Sequence, residues 1–223
     1  MVAEPRNQDD LLFREVDEDL RRDKYALLWK KYGIAVLAAA VVIVVATAGV
    51  VGWRDHQRGV REKDGDRYVA AATLAHEGKT DQALAAFTAL SEDATPGYRT
   101  LARLQVAALL AKKGDLKGAV AVYDALAGDS GTEKSFRDLA VVLAALASVD
   151  SGDPAALTQR LQPLTAEDNP WRYSALELTA LLAERAGDKK AARDIYTRLA
   201  DDAEAPGGIR VRARQMLGLL GES

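Results

Sequence analysis

Twenty consecutive positions, Gly33 to Gly52 (GIAVLAAAVVIVVATAGVVG), carry no charged side chain. Before them, charges are scattered around a segment whose Phe13, Val16, Leu20 and Leu27 recur at helical spacing. That spacing predicts a helix over 9–32 with one narrow apolar stripe. After them, from about Glu62, alanine and leucine recur with a helical period that glycine interrupts at regular intervals. The pattern divides the chain into an amphipathic N-terminal helix (1–32), a candidate span (33–52) and a repeat domain (53–223).

The repeats are set by four turns: Glu77-Gly78-Lys79, Lys113-Gly114-Asp115, Ser151-Gly152-Asp153 and Ala186-Gly187-Asp188, whose glycines lie 36, 38 and 35 residues apart. Each glycine is placed to end one helix in the left-handed conformation that costs it nothing. Asp115, Asp153 and Asp188 stand where the next helix needs an N-cap, and Pro154 suits a first helical position. Counted from each glycine, the ninth position holds Phe87, Tyr123, Leu161 and Tyr196, and the twelfth holds Leu90, Leu126, Leu164 and Leu199. The fifth is Ala83, Ala119 and Ala192 in three units and Leu157 in the third. A small residue lets two helices approach, and a large one further on fills the gap to the next pair. Breakers at Pro96-Gly97, Gly128 to Gly131, Asn169-Pro170 and Pro206-Gly207-Gly208 separate the units. A last helix, Ile209 to Leu220, is expected to cap the final pair. The fold class is therefore all-α, with about four helix pairs in a solenoid.

The apolar run is long enough for a bilayer, since twenty residues at about 1.5 Å each make roughly 30 Å of helix. Trp29 and Tyr32 precede it and Trp53 follows, as interfacial anchors do. Ala46-Thr47-Ala48 has the look of a cleavage site, but a long lead rich in acidic residues is unlike the short basic start of a signal peptide. Six basic side chains precede the run (Arg14, Arg21, Arg22, Lys24, Lys30, Lys31) and five follow (Arg54, Arg58, Arg61, Lys63, Arg67). With the flanks almost balanced, the short tail ending in Lys30-Lys31 is expected to stay cytoplasmic and the long C-terminal domain to be translocated.

Composition narrows the chemistry. A net charge of -3 gives no reason to expect nucleic acid as a partner. The absence of cysteine removes disulfides, zinc fingers and thiol catalysis, and His56 and His76 are too isolated for a metal site. There is no phosphate loop or nucleophile elbow, so no cofactor, small-molecule substrate or enzymatic activity is expected. Asp201-Asp202, Lys112-Lys113 and Lys189-Lys190 read as solvated helix ends, and Arg210, Arg212 and Arg214 as surface charges on the last helix.

The glycine spacing and the aligned fifth, ninth and twelfth positions resemble the tetratricopeptide repeat, an antiparallel helix pair of about 34 residues. The whole layout resembles the tetratricopeptide-like family of bacterial inner-membrane proteins that includes the ancillary subunit of the Sec translocon. That resemblance rests on Phe13-Arg14-Glu15-Val16-Asp17-Glu18-Asp19-Leu20-Arg21-Arg22-Asp23, on Leu28-Trp29-Lys30-Lys31-Tyr32-Gly33 with the adjoining run, and on Asn169-Pro170-Trp171-Arg172. It implies a single-pass inner-membrane protein with a periplasmic repeat domain, acting with Sec translocon subunits, periplasmic chaperones or exported clients. An assembly or stability factor for another envelope complex is the competing expectation.

In tetratricopeptide solenoids the first helix of each pair lines a concave groove. Aligning the units on their glycines puts Tyr68, Leu101, Leu104, Leu139, Val142, Leu146, Glu177 and Leu181 on that side. These residues are mostly apolar, unlike a groove of Lys and Asn built to clamp a terminal carboxylate. An apolar or amphipathic protein segment is the expected occupant.

Overall fold

No proline falls between Pro5 and Pro96, so no missing N–H interrupts the first helix. In the computed structural model, which describes residues 6–221, α1 runs unbroken over Arg6–His76. Side chains are described at Tyr25 and from Trp29 on, Val36 excepted. The stripe expected at Phe13, Val16, Leu20 and Leu27 lies outside the described side chains. By internal contacts the chain forms two compact units, 1–59 and 60–223.

The first unit, over its described residues, is helix alone. Its apolar run has no protein partner: Ile34 is 89% exposed, and Leu37 and Val41 to Val45 are exposed as well. The one hydroxyl in the run, on Thr47, donates to the Ile43 carbonyl at 2.7 Å, so no side-chain donor is left unpaired there. Trp29, Tyr32 and Trp53 are exposed at the two ends. This is the one helix among the described residues that is long and apolar enough to cross a membrane.

The second unit begins with the end of α1 and continues through α2 (Thr80–Asp93), α3 (Pro96–Lys112), α4 (Leu116–Ala127), α5 (Lys134–Ser148), α6 (Pro154–Leu161), α7 (Arg172–Arg185), α8 (Lys189–Asp201) and α9 (Gly207–Gly221). No strand occurs among the described residues. Ala71 at the end of α1 clusters with Ala83 and Phe87 of α2, each later helix packs on its sequence neighbour, and α3, α5, α7 and α9 also touch in succession. Contacts are therefore short in sequence and propagate from hairpin to hairpin, as in a repeat array.

The turns form as their residues dictate. Gly78, Gly114 and Gly187 have φ of 77°, 85° and 84°. Each turn closes with the same bond, from the N–H after the glycine to the carbonyl five residues back, at 2.9 to 3.0 Å. Asp115 and Asp188 accept from the backbone N–H groups of Gly118 and Ala191, both at 2.9 Å, and Asp153 accepts from Ala155 and Ala156. Pro154 is the first residue of α6.

The expectation of a left-handed glycine fails at Gly152. The turn there is one of ordinary backbone, and space takes the place of φ as the reason for glycine. A Cβ on Gly152 would stand 2.9 Å from Leu157 Cδ1 and 3.1 Å from the Ser148 carbonyl oxygen. Leu157 fills the fifth position, where the other units have alanine. The larger side chain leans into the turn, and only glycine leaves it room. The second helix of this unit is also shorter than expected. It ends at Leu161 and passes into a 3-10 turn over Gln162–Thr165, because Pro163 cannot donate to the helical ladder. The last helix starts at Gly207, two residues before its expected beginning.

The register positions all face inward. Ala83, Phe87, Leu90, Ala119, Tyr123, Leu126, Leu157, Leu161, Leu164, Ala192, Tyr196 and Leu199 are each exposed by 9% or less. The alanines at the fifth position are completely buried. Ile209, Ala213 and Leu220 of α9 close the last pair by packing with Tyr196, Leu199 and Ala200.

Two ion pairs repeat with the units: Arg67 to Asp93 at 2.9 Å, and Arg103 to Asp129 at 2.7 Å. Each joins a first helix to the end of its own hairpin. Asp64 and Asp138 also share a register position and a task. Asp64, 5% exposed, accepts from the Thr95 N–H at 2.7 Å, and Asp138 accepts from Asn169 Nδ2 at 2.9 Å. Both tie a first helix to the loop that opens the next unit.

Phe87→Ala removes a ring with no exposed surface, and is expected to cost about 3–5 kcal/mol in denaturant unfolding followed by circular dichroism. The Asp129 carboxyl is held below its ordinary pKa, first by the Gly131 N–H and then by Arg103. Its stabilising contribution is complete above the usual aspartate value of about 3.9 and is lost as pH falls through the lower folded value. Asp129→Asn is therefore expected to flatten the acid limb of the stability-versus-pH curve below about pH 4.

Candidate partner-binding groove

Counting back from the turn glycines, offsets of 13, 10, 9 and 6 residues place Leu139, Val142, Leu143 and Leu146 on one face of α5. The same offsets place Ser174, Glu177, Leu178 and Leu181 on the corresponding face of α7. All eight side chains line one concavity of about 570 Å³, which α9 completes with Arg212, Gln215 and Met216. Trp171, at the head of α7, lines it too, as does Tyr196 of α8. Apart from the Glu177–Arg212 pair, Ser174, Gln215 and the Tyr196 hydroxyl, the surface is hydrocarbon, ring and thioether.

Five of the eight residues expected in a groove therefore come together: Leu139, Val142, Leu146, Glu177 and Leu181. Leu146 is the most open, at 51%. Tyr68, Leu101 and Leu104 do not line this concavity. The Tyr68 ring meets Phe87 edge-on at 5.2 Å and Tyr98 at 5.9 Å, and its hydroxyl accepts from Gln105 Nε2 at 3.2 Å. Leu104 packs on the cluster around Ala107, Tyr123 and Leu126, and Leu101 is half-buried on α3.

Leu143 and Leu178 were missed because the ninth offset was not followed, and Ser174 because serine takes the thirteenth offset where Leu139 stands in the unit before. The ninth reads Val69, Gln105, Leu143 and Leu178, and the sixth reads Ala72, Ala108, Leu146 and Leu181. Leucine at both offsets is confined to the third and fourth units. A further signal went unread at offsets of 16 and 15, where Tyr98-Arg99, Phe136-Arg137 and Trp171-Arg172 open successive first helices. Arg99 and Arg137 donate back to the carbonyls of Ala94 and Thr132, closing the turn before each helix. Tyr98 brings its hydroxyl so close to α1 that a Cβ on Gly65 would lie 2.8 Å from it.

Trp171 is held from both ends. Asn169 Oδ1 accepts from its N–H at 2.8 Å, and the indole Nε1 donates to the Ser135 carbonyl on α5 at 2.8 Å. With Asn169 Nδ2 on Asp138, the Asn-Pro-Trp segment fixes α7 against α5 and so sets the width of the groove at that end. On the other wall, Glu177 accepts from Arg212 Nε and Nη2 at 2.6 and 2.8 Å, a bidentate pair joining α7 to α9. Tyr196 is 2% exposed and its hydroxyl makes no hydrogen bond among the described residues. Its pKa is pushed up to about 12 by burial and then by the charges of Glu184 and Glu177, so it remains a neutral phenol. Glu184 lies one turn beyond Leu181 on α7. Its Oε2 is sealed from solvent and meets no donor.

No group of three or more metal-ligating side chains is present among the described residues. Stacked hairpins with an apolar hollow between successive first helices define a helical-repeat protein of the kind that binds other proteins. The chain belongs to the tetratricopeptide repeat-like domain family, whose model matches residues 27–216. No curated protein matches it. Domains of this class typically serve as non-catalytic scaffolds for protein–protein contact.

Trp171→Phe keeps most of the aromatic surface but removes the indole donor to the Ser135 carbonyl. It is expected to cost about 1 kcal/mol of stability, read by denaturant unfolding, and to quicken hydrogen exchange in the first turn of α7.

Proposed function

We propose that this protein is a single-pass inner-membrane scaffold whose residues 33–52 lie in the bilayer and whose groove between α5 and α7 captures an apolar segment of another protein. The observation that carries the binding half is the identical set of offsets by which two successive first helices present leucine to one hollow. The anchor half draws on the uncovered apolar face of α1, its aromatic ends and the satisfied Thr47 hydroxyl. The family match starts at residue 27, upstream of the apolar run, and so covers that run as well as the repeats. The charge balance and the short tail favour a cytoplasmic N-terminus, with the repeat domain in the periplasm.

Among partners, the Sec translocon and newly exported chains are the reading favoured by the motifs in 13–33 and 169–172. The groove suits that role, because exported chains arrive unfolded with apolar segments exposed. A tethered scaffold needs only weak affinity for them, since the anchor raises local concentration.

A photo-crosslinker at Met216 of the membrane-embedded chain is expected to label nascent exported polypeptides. Labelling of one fixed membrane subunit instead would favour the assembly-factor alternative. Leu146→Glu is expected to abolish the adducts with helicity unchanged, whereas Leu104→Glu, which places a charge in the core, should lower helicity. Recovery of the chain in the soluble fraction after cell lysis would remove the anchor.

A further inference from the structure

Just past the apolar run, α1 gathers positive charge. Residues 54–61 hold Arg54, Arg58 and Arg61 against the single carboxylate of Asp55, in a chain whose net charge is -3. Arg54 and Arg58 stand four residues apart, so they share one side of the helix. Both are exposed, and among the described residues neither takes part in an ion pair. The helix is bare at this level, since a Cβ added at Gly49, Gly52 or Gly59 would meet nothing within 4 Å. The described residues therefore supply no counter-charge for these two guanidinium groups.

Position decides what can supply it. At about 1.5 Å per residue, Arg54 lies about 3 Å beyond Gly52 and Arg58 about 9 Å beyond it. The polar layer of a bilayer is about 5–7 Å deep on each side of the hydrocarbon. Side-chain direction closes the remaining gap. In a helix every Cα–Cβ bond tilts toward the N-terminus, and for Arg54 and Arg58 that is the side of the apolar run. These arginines lean back toward the headgroups, whereas Lys30 and Lys31, which precede the run, lean away from it. Below the arginines, four residues before Arg54 and seven before Arg58, Val50 and Val51 are exposed and offer a surface to acyl chains. Arginine also takes two phosphate oxygens at once through its planar fork, which lysine cannot do.

Resting on the anchor reading above, we infer that Arg54 and Arg58 bind the phosphate of an anionic phospholipid at the membrane surface beside Trp53. A zwitterionic lipid carries its own ammonium beside the phosphate and so gains less from the pair.

The test uses the full chain in detergent with equimolar phosphatidylglycerol and phosphatidylcholine, and native mass spectrometry reads which lipid is carried. Phosphatidylglycerol is expected to be favoured about fivefold or more, the factor that one basic side chain near a lipid surface supplies. Arg54→Gln/Arg58→Gln is expected to bring the ratio close to one, and Lys30→Gln/Lys31→Gln to leave most of it. Glycerol phosphate in excess is expected to act no differently from ammonium acetate of the same ionic strength. A ratio near one in the native chain, or a preference that survives the double arginine variant, would overturn the assignment while leaving the anchor in place. So would an equal loss in the lysine variant. Displacement by glycerol phosphate beyond the salt control would overturn it in favour of a soluble phosphate. A chain that neither floats with vesicles nor resists extraction by alkaline carbonate would overturn the anchor and the assignment together.

Discussion

The repeat domain depends on how closely the second helix of each hairpin can approach its neighbours, and the residue five positions after the turn glycine sets that distance. Ala83, Ala119 and Ala192 have no exposed surface at all, so each methyl group is enclosed by the helices around it. Close approach lets the large residues at the ninth and twelfth positions reach the following hairpin and cover its open face. Where alanine gives way to Leu157, the adjustments are local and traceable. Leucine takes the space over the turn, glycine at 152 is retained for room and not for φ, and the helix is cut short at Pro163. The larger side chain is thus absorbed by the turn before it, while the array continues. That is the economy of contacts short in sequence: a defect in one unit need not propagate.

Much of this was legible in the sequence because its determinants are local. A glycine followed by aspartate writes both the end of one helix and the start of the next, and Asp115, Asp153 and Asp188 all perform as caps. The period of large residues gave the buried face of every second helix. Local patterns did not reveal the groove's extent, because a hollow arises where two successive first helices carry leucine at matching offsets. Tyr68, Leu101 and Leu104 share the correct helices with the groove residues. Yet the first two units have alanine at the sixth offset, and valine or glutamine at the ninth, where the last two have leucine. The tie of Asp64 to Thr95, and of Asp138 to Asn169, escaped for a related reason. Their partners lie 31 residues away, and only the stacked hairpins bring them together.

The same stacking accounts for how the groove keeps its shape. A hollow lined by leucine and methionine tends to collapse, since closing it removes apolar surface from water. Here the walls are held apart by bonds that lie outside the hydrocarbon. At one end the Trp171 indole is fastened to the Ser135 carbonyl and Asn169 to Asp138, while along the other wall Glu177 and Arg212 form a two-point brace between α7 and α9. Arg212 is more than half exposed, so the brace contributes little to overall stability. Its value is geometric: two parallel bonds between a planar guanidinium and a carboxylate set both separation and orientation.

The electrostatics of the hollow then bear on which partners it accepts. Tetratricopeptide grooves that hold a terminal carboxylate do so with lysine and asparagine, whereas the charged groups lining this one are Glu177 of α7 and Arg212 of α9, already engaged with each other. A segment entering it must leave water, and any charge it brings must find its opposite inside. A charged segment would meet no free opposite charge among the lining residues, since Glu177 and Arg212 hold each other. A neutral one gains its apolar contacts at no such cost. Because flanking charges alter encounter and register more than they alter the apolar contacts, discrimination of this kind coexists with tolerance toward the exact apolar sequence. Met216, soft and unbranched, adds to that tolerance.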